Sequence, residues 1–276
     1  MSGISLSAGV RQNLLSLQDT ASELSITQNR LATGKKVNSA LDNANSFFTA
    51  QSLTNRANSL SNLLDGITNG INTIKAANNG ITAITKLVQS AQALTTQAQQ
   101  TTDTTVRQSL ALQFGALLTQ IDGLAGDSGY NGTNLLGGAP ANNLTLTLDE
   151  KSGGSTVTVT AVDDTATVGL GIATASNAWA GATDITAAST NLTTALTTLQ
   201  SEAATLSSSL STIQIRADFT KATINTLQTG SDALTVADSN EEGANLLALQ
   251  TRQSLSTTAL SLSAQSDKNV LKLFGG

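Results

Sequence analysis

The sequence predicts a mainly α-helical protein, in which long antiparallel helices form a coiled-coil-like bundle with a small β-hairpin region in the middle of the chain. Apolar residues recur at alternating spacings of three and four along three long stretches, which is the periodicity of one helix face. Of the 276 residues, 39% are hydrophobic and only 3% are aromatic, which favours helix pairing through Leu, Ile and Ala over a compact aromatic core. One short region instead alternates apolar residues with threonine, as strands do.

The first helical segment is predicted to end near residue 33. Gly34 suits the positive φ of a helix end, and Ser39 or Asp42 suits the capping position of the next helix. The predicted apolar stripe of this segment consists of Val10, Leu14, Leu17, Ala21, Leu24 and Leu31.

A second helix is predicted over about residues 44–101, and it would extend about 85 Å at 1.5 Å per residue. Its heptad stripe consists of Leu53, Leu60, Ile67, Ile74, Ile81 and Val88. A shorter helix is predicted over residues 104–125. Its inward-facing residues are predicted to be Val106, Leu110, Phe114, Leu117, Leu118 and Ile121. Helices as long as the second are not typical of compact enzymes.

The segment GDSGYNGTNLLGG at residues 126–138 is rich in glycine. It lacks the Lys and Ser or Thr of a phosphate-binding P-loop, so it predicts a turn in which Asn131 and Gly132 accept positive φ. Beyond it, residues 143–162 alternate apolar residues with threonine on both sides of a KSGG turn, which predicts a β-hairpin. Residues 165–184, which contain the single Trp179, predict no regular element.

Two more helices are predicted in the last third of the chain. The first has an apolar stripe from Leu192 to Leu234 that only Thr220 and Ser231 interrupt, and its expected partner is the second helix. The second covers about residues 240–273, with two glutamates in its first turn, where the helix dipole favours anions.

The composition excludes most catalytic chemistry. The chain has no Cys and no His, so it has no thiolate nucleophile, triad base or zinc site of the usual kinds. The candidate carboxylate pairs for acid–base work are Asp149 with Glu150, Asp163 with Asp164, and Glu241 with Glu242. Sequence neighbours point apart on a strand or helix, so we expect no enzyme and no catalytic, cofactor-binding or metal-binding residues.

The charge pattern argues against nucleic acid as a partner. The chain has 14 basic and 19 acidic residues, and its basic cluster of Arg30, Lys35 and Lys36 is typical of a solvated loop. No apolar run approaches the roughly 20 residues that span a bilayer, so we expect no membrane insertion. The N-terminal segment has no basic lead before an apolar run, which leaves a cytosolic protein, or one exported without a cleaved signal, as the expectation.

Three motifs together resemble bacterial flagellins. RLATGKKVNSALDN resembles the family's helix end and restart, LLTQIDGLAGDSGYNGTNLLGG resembles its third helix and GYNG-x-NLL turn, and LQTRQSLSTTALSLSAQSDKNVLKLF is similar to its last helix. The residues of the turn signature are Gly129, Tyr130, Asn131, Gly132, Asn134, Leu135 and Leu136.

The resemblance implies a subunit of the flagellar filament, the helical propeller of swimming bacteria, with a short central region. Residues 1–43 and 237–276 would form the two halves of an inner helical domain. Residues 44–140 and 185–236 would form an outer rod domain, and 141–184 its β-hairpin and loop region. The implied location is the extracellular flagellum, reached through the flagellar type III pathway without a cleaved signal. The implied partners are further copies of the chain, the export apparatus and flagellin chaperone, and the filament cap and hook–filament junction proteins.

The terminal helices are expected to become ordered on assembly, because each has only a narrow apolar face. The predicted assembly residues are Leu6, Val10, Leu14, Leu17, Leu24, Leu255, Leu262, Val270, Leu271, Leu273 and Phe274. An ordinary core within one chain is the alternative role for these residues. Two alternative functions also stay open: a hook–filament junction protein, and a coiled-coil adaptor unrelated to flagella.

Overall fold

The computed structural model describes residues 8–138, 142–151 and 153–274. Its elements are α1 (Ala8–Thr33), α2 (Ala44–Gln100), α3 (Thr104–Asp127), β1 (Leu144–Thr147), β2 (Thr156–Val159), α4 (Ala182–Thr235) and α5 (Ser239–Phe274), with a short 3₁₀ turn at Ser176–Trp179. The mainly α-helical fold with a small β-hairpin is therefore confirmed. The chain forms two compact units: unit 1 contains the residues up to Asn55 and from Thr226 onward, and unit 2 contains Arg56–Asn225.

The corner between α1 and α2 in unit 1 is built from backbone and side-chain hydrogen bonds. Gly34 ends α1 with a φ of +67°, as predicted. The predicted cap of α2 was wrong: Oδ1 of Asn43 accepts the N–H of Ser46 at 3.0 Å. The Asp42 carboxylate instead accepts the backbone N–H groups of Asn38 and Ser39, both at 2.9 Å, and these bonds lower its pKa. Asp42 thus shapes the loop, while Asn43 caps the helix.

The α4 stripe is confirmed along its predicted length. In unit 2, Leu192, Leu199 and Ile213 are completely buried. In unit 1, the polar Ser231 occupies a buried stripe position, where its Oγ donates to the carbonyl of Ala50 at 3.2 Å. The expected partner of α4 is also confirmed, because side-chain hydrogen bonds join α2 to α4 in both units. Thr54 bonds with Ser231 in unit 1, and Asn78 donates to Ser207 in unit 2.

The inward face of α3 differs from the prediction at one position. Val106 is 45% exposed, while the next residue, Arg107, is buried. The Arg107 guanidinium donates to the carbonyls of Ala98, Thr101 and Ala180 at 2.8–3.3 Å. These carbonyls lie at the end of α2 and just before α4, so Arg107 satisfies three backbone acceptors that a valine could not. The other predicted inward residues of α3 are buried or half-buried.

The segment between α3 and α4 covers one end of the unit 2 core. β1 and β2 pair antiparallel, with Leu144 opposite Val159, and Gly153 has a φ of +76° in their connection, as the hairpin prediction requires. Farther along the chain, three consecutive residues from Asn177 have positive φ, and this turn brings the fully buried Trp179 against Phe114, with 4.9 Å between ring centroids. The unpredicted stretch thus supplies the largest core side chain.

Two glycines of α2 make a matched test of packing in unit 2. A Cβ on Gly80 would collide with the side chains of Ser128 and Leu136, whereas a Cβ on Gly66 would meet nothing within 4 Å. We expect Gly80→Ala to lower the free energy of unfolding by about 1–3 kcal/mol through overpacking. Gly66→Ala should raise it by roughly 0.5–1 kcal/mol through helix propensity. Urea unfolding followed by Trp179 fluorescence measures both, and equal effects at the two sites would contradict this packing.

Candidate assembly site

The terminal helices α1 and α5 pack against each other in unit 1. Two ion pairs fix their direction: Arg30 contacts Glu242 at 3.1 Å, and Glu23 contacts Arg252 at 3.8 Å. Since the earlier residue on α1 pairs with the later residue on α5, the helices run antiparallel. The loop after α1 is also joined to the end of α4, which directly precedes α5: the N–H of Lys36 donates to the carbonyl of Thr235 at 2.8 Å.

The face that α1 turns toward α5 mixes threonine with valine and leucine. Of its inward residues, Val10, Thr20 and Thr27 are buried, and Leu17 and Leu24 are half-buried. On α5, the buried residue is Glu242, and the half-buried positions that follow at helical spacing include Leu246, Leu249, Gln253, Ser256, Leu260 and Ser263. Most of the apolar residues of this contact are only half-buried, and the buried threonines remove little apolar surface from water, so the pairing contributes less hydrophobic stabilisation than fully buried leucines would.

Large apolar side chains instead face outward from the pair. Those on α1 are Leu14, Leu15, Ile26 and Leu31, and those on α5 are Leu247, Leu255 and Leu262. Leu255 is 66% and Leu262 is 73% exposed. An isolated exposed leucine is ordinary, but Leu247, Leu255 and Leu262 share one face of α5, and monomeric proteins rarely leave such a row uncovered. The exposed apolar residues of α1 are spread over more than one face.

The predicted assembly residues are therefore divided between two environments. Val10, Leu17 and Leu24 contribute to the contact within the chain, while Leu14, Leu255 and Leu262 lie outside it. The sequence placed Leu14, Ala21 and Leu31 on one stripe with Val10, but the structure turns these three outward. Thr20 and Thr27 take the inward positions. Leu6 and the side chains of Val270, Leu271, Leu273 and Phe274 lie outside the described residues.

A groove of about 420 Å³ runs between α1 and α5 beside the ion pairs. Its wall combines apolar Ile26 and Leu249 with the charged Arg30, Glu242 and Arg252. Glu242 is buried, and only its Oε1 is paired, while Oε2 has no hydrogen-bond partner. The groove therefore presents charged and apolar side chains next to each other.

The turn signature lies in unit 2, directly after α3. Asn131 and Gly132 have φ values of +49° and +81°, and the backbone of Tyr130 and Thr133 exchanges two hydrogen bonds across them, at 2.8 and 3.0 Å. Two consecutive positive φ values are typical of a tight hairpin turn, which explains the Asn-Gly pair. The predicted positive φ values are present.

Asn134 connects the turn to the end of α3, a role that the sequence did not reveal. Its Nδ2 donates to the carbonyls of Ala125 at 2.8 Å and Gly126 at 2.9 Å, and its Oδ1 accepts the N–H of Leu136 at 2.9 Å. The last carbonyls of a helix have no partners within the helix, so the amide completes them. Leu135 and Leu136 then enter the core with no exposed surface.

The carboxylates that could carry chemistry do not converge on a metal. In the part of the chain that the structure describes, no group of three metal-ligating side chains occurs. Asp149 accepts the N–H of Lys151 in the hairpin connection, and Glu150 pairs with Arg56 at 2.6 Å. Asp163 accepts from Thr165 in its own loop. Each of these carboxylates has a local structural partner.

None of the described helices is long and apolar enough to cross a membrane.

The chain is similar to flagellins over its whole length. Residues 4–141 match the bacterial flagellin N-terminal helical region. The chain is 32% identical to flagellin FljO of Caulobacter vibrioides over 99% of both chains, and 28% identical to a flagellin of Brucella melitensis over 100% of both. The crystal structure of Bacillus cereus flagellin matches with a TM-score of 0.47 and 23% identity, covering 58% of this chain and 88% of that one.

Replacing the amide nitrogen of Asn134 with oxygen should destabilise the turn. Asn134→Asp keeps the acceptor for Leu136 but replaces the two N–H donors with a charged oxygen facing the carbonyls of Ala125 and Gly126. We expect unit 2 to lose about 2–3 kcal/mol of unfolding free energy, since the helix-end carbonyls lose their donor and meet a like partial charge. Asn131→Gly is the control, because glycine accepts the same positive φ. Chemical unfolding followed by Trp179 fluorescence compares them; an unchanged Asn134→Asp variant would contradict the capping role.

Proposed function

Because this chain belongs to the bacterial flagellin family, we propose that the outward apolar side chains of α1 and α5 hold its copies together in the flagellar filament. The protein is a structural subunit of that extracellular filament and not an enzyme. Matches to flagellins along the whole chain do not favour a junction protein or an unrelated adaptor.

The distribution of core residues supports this site. Among the described residues, the largest fully buried side chains, Trp179 and Phe114 among them, all belong to unit 2. The buried apolar residues of unit 1 are small, namely Val10, Val37, Ala50 and Ala237, and it also buries threonine, serine and glutamate, whereas unit 2 buries many leucines and isoleucines. An exposed leucine forgoes about 1.5–3 kcal/mol of burial, so copies that cover one another's rows gain what a single chain leaves unused. Open helical polymers arise from contacts of this heterologous kind.

The same observation supports ordering of the ends on assembly. The seam between α1 and α5 is partly polar, and its leucines are only half-buried; an isolated helix is marginally stable in water unless an apolar face is packed. We propose that the pair is completed when neighbouring copies stack against it. In this proposal residues 1–43 and 237–276 form the inner layer, residues 44–140 and 185–236 form the rod, and residues 141–184 lie on the outer side.

Family membership supports finer proposals about the path to the filament. The subunit would pass through the flagellar type III pathway without a cleaved signal. On the way it would meet the export apparatus and a flagellin chaperone, and at the ends of the filament it would meet the cap and the hook–filament junction proteins.

The proposed assembly site is tested by the double variant Leu255→Gln, Leu262→Gln. Both leucines are exposed, so we expect unchanged Trp179 fluorescence and unchanged unfolding of unit 2. Polymerisation induced by a precipitating salt, followed by light scattering and electron microscopy, should be lost or slowed by at least about tenfold, since each lost contact is worth more than 1.4 kcal/mol.

Leu112→Gln on α3 is the matched control, because Leu112 is 75% exposed but lies outside the terminal helices. It should form filaments like the parent. Normal filaments from the double variant would show that the rows on α5 do not hold the polymer together.

A further inference from the structure

Asp164 is a buried carboxyl group with no hydrogen-bond donor among the described residues. Its side chain has no exposed surface, and neither Oδ1 nor Oδ2 accepts a hydrogen bond. Its backbone N–H donates to the carbonyl of Leu136 at 3.0 Å, and the preceding chain pairs with the turn signature, where the N–H of Val162 donates to the carbonyl of Leu135 at 2.8 Å. A buried carboxylate left ionised and unpaired is strongly destabilising, so something must compensate it.

The side chain of Glu202, on α4, faces Asp164. The two carboxyl groups are within hydrogen-bonding reach of each other, and Oε2 of Glu202 is buried and also lacks a donor. Two ionised carboxylates within hydrogen-bonding reach repel each other, and neither can donate a hydrogen bond. A carboxylic acid, in contrast, donates its O–H to a neighbouring carboxylate. One proton therefore satisfies both groups.

We propose that Asp164 and Glu202 share one proton, and that this hydrogen bond fastens the chain between β2 and α4 to the α4 helix. This hydrogen bond joins the segment that pairs with the turn signature to α4. Loss of the proton leaves two negative charges in the core and releases this segment. The inference concerns unit 2 and is independent of the assembly proposal.

The charged groups around the pair strengthen the need for a proton. Asp163 is adjacent and adds negative charge, and Asp122 on α3 accepts the N–H of Ala166 at 2.8 Å. The buried Arg107 of α3 directs its guanidinium to backbone carbonyls elsewhere. None of the ion pairs formed by the described residues includes Asp164 or Glu202. Among the described residues, these neighbouring carboxylates are therefore negative, and no ion pair neutralises the two carboxyl groups.

Burial is the largest cause that raises the pKa of both groups, and together with the hydrogen bond to Asp164 and the charge of Asp164 it raises the pKa of Glu202 to about 8. A carboxyl group whose pKa is raised in the folded state binds its proton more tightly there than in the unfolded chain. Its contribution to stability is complete below the ordinary glutamate pKa of 4.5 and is lost as the pH rises toward 8. Unit 2 should therefore weaken on the alkaline side.

Urea unfolding of the full chain in dilute solution, followed by Trp179 fluorescence from about pH 5 to about pH 9, tests this proposal. In the parent we expect the unfolding equilibrium constant to rise by up to about tenfold per pH unit over this range. In Glu202→Gln the amide N–H donates to Asp164 at every pH, so the slope should flatten. Asp65→Asn, an exposed carboxylate of α2, is the control and should keep the parental slope.

Asp164→Asn provides a second variant, which should flatten the slope in the same way even if the first variant folds poorly. A parental slope in both variants, or no slope in the parent, would overturn the shared proton. Adding calcium ions distinguishes a shared proton from a cation bound between the two carboxyl groups. If calcium restored alkaline stability to the parent but not to Glu202→Gln, a cation rather than a proton would join the two carboxyl groups.

Discussion

A row of leucines on a long helix is stable only when another apolar surface covers it, and this requirement governs both units. In unit 2 the rows of α2, α3 and α4 cover one another, and the middle segment adds Trp179 and the leucines of the turn signature. In unit 1 the inward face of the terminal pair combines threonine, serine and a glutamate with half-buried leucines, while other leucines face out. A single copy thus leaves apolar surface uncovered on its terminal helices.

Periodicity predicted the long helices well because their burial follows a regular spacing. The α4 stripe was correct even at Thr220 and Ser231, where a buried hydroxyl can donate to a backbone carbonyl. The same reasoning misplaced Leu14, since α1 carries leucines on more than one face and periodicity alone cannot say which face meets α5. Where two stripes compete, the choice depends on the partner helix, which is distant in sequence.

The sequence contains no comparable pattern for polar side chains that hydrogen-bond to backbone groups. Arg107 and Asn134 serve carbonyls at helix ends, and Asn43 rather than Asp42 caps α2. An Asn or Arg of this kind is recognisable only when the helix boundary is known to within one residue, and such boundaries are the least certain part of a sequence-based prediction. The turn was predictable because the Asn-Gly pair itself requires positive φ.

Buried polar groups are handled in two ways in this molecule. Arg107, which is buried, and Asn134, which is half-buried, are donors, and unpaired carbonyls at helix ends satisfy them. Asp164 and Glu202 are acceptors, and the backbone N–H groups of a helix are already used in its interior, so a long helical bundle has few donors to offer them. A protein built almost wholly from helices can therefore bury cations and amides near its corners, but it can keep a pair of acids in its core only if they supply a donor themselves. That asymmetry follows from the fold and makes the acid pair the part of unit 2 most sensitive to its surroundings.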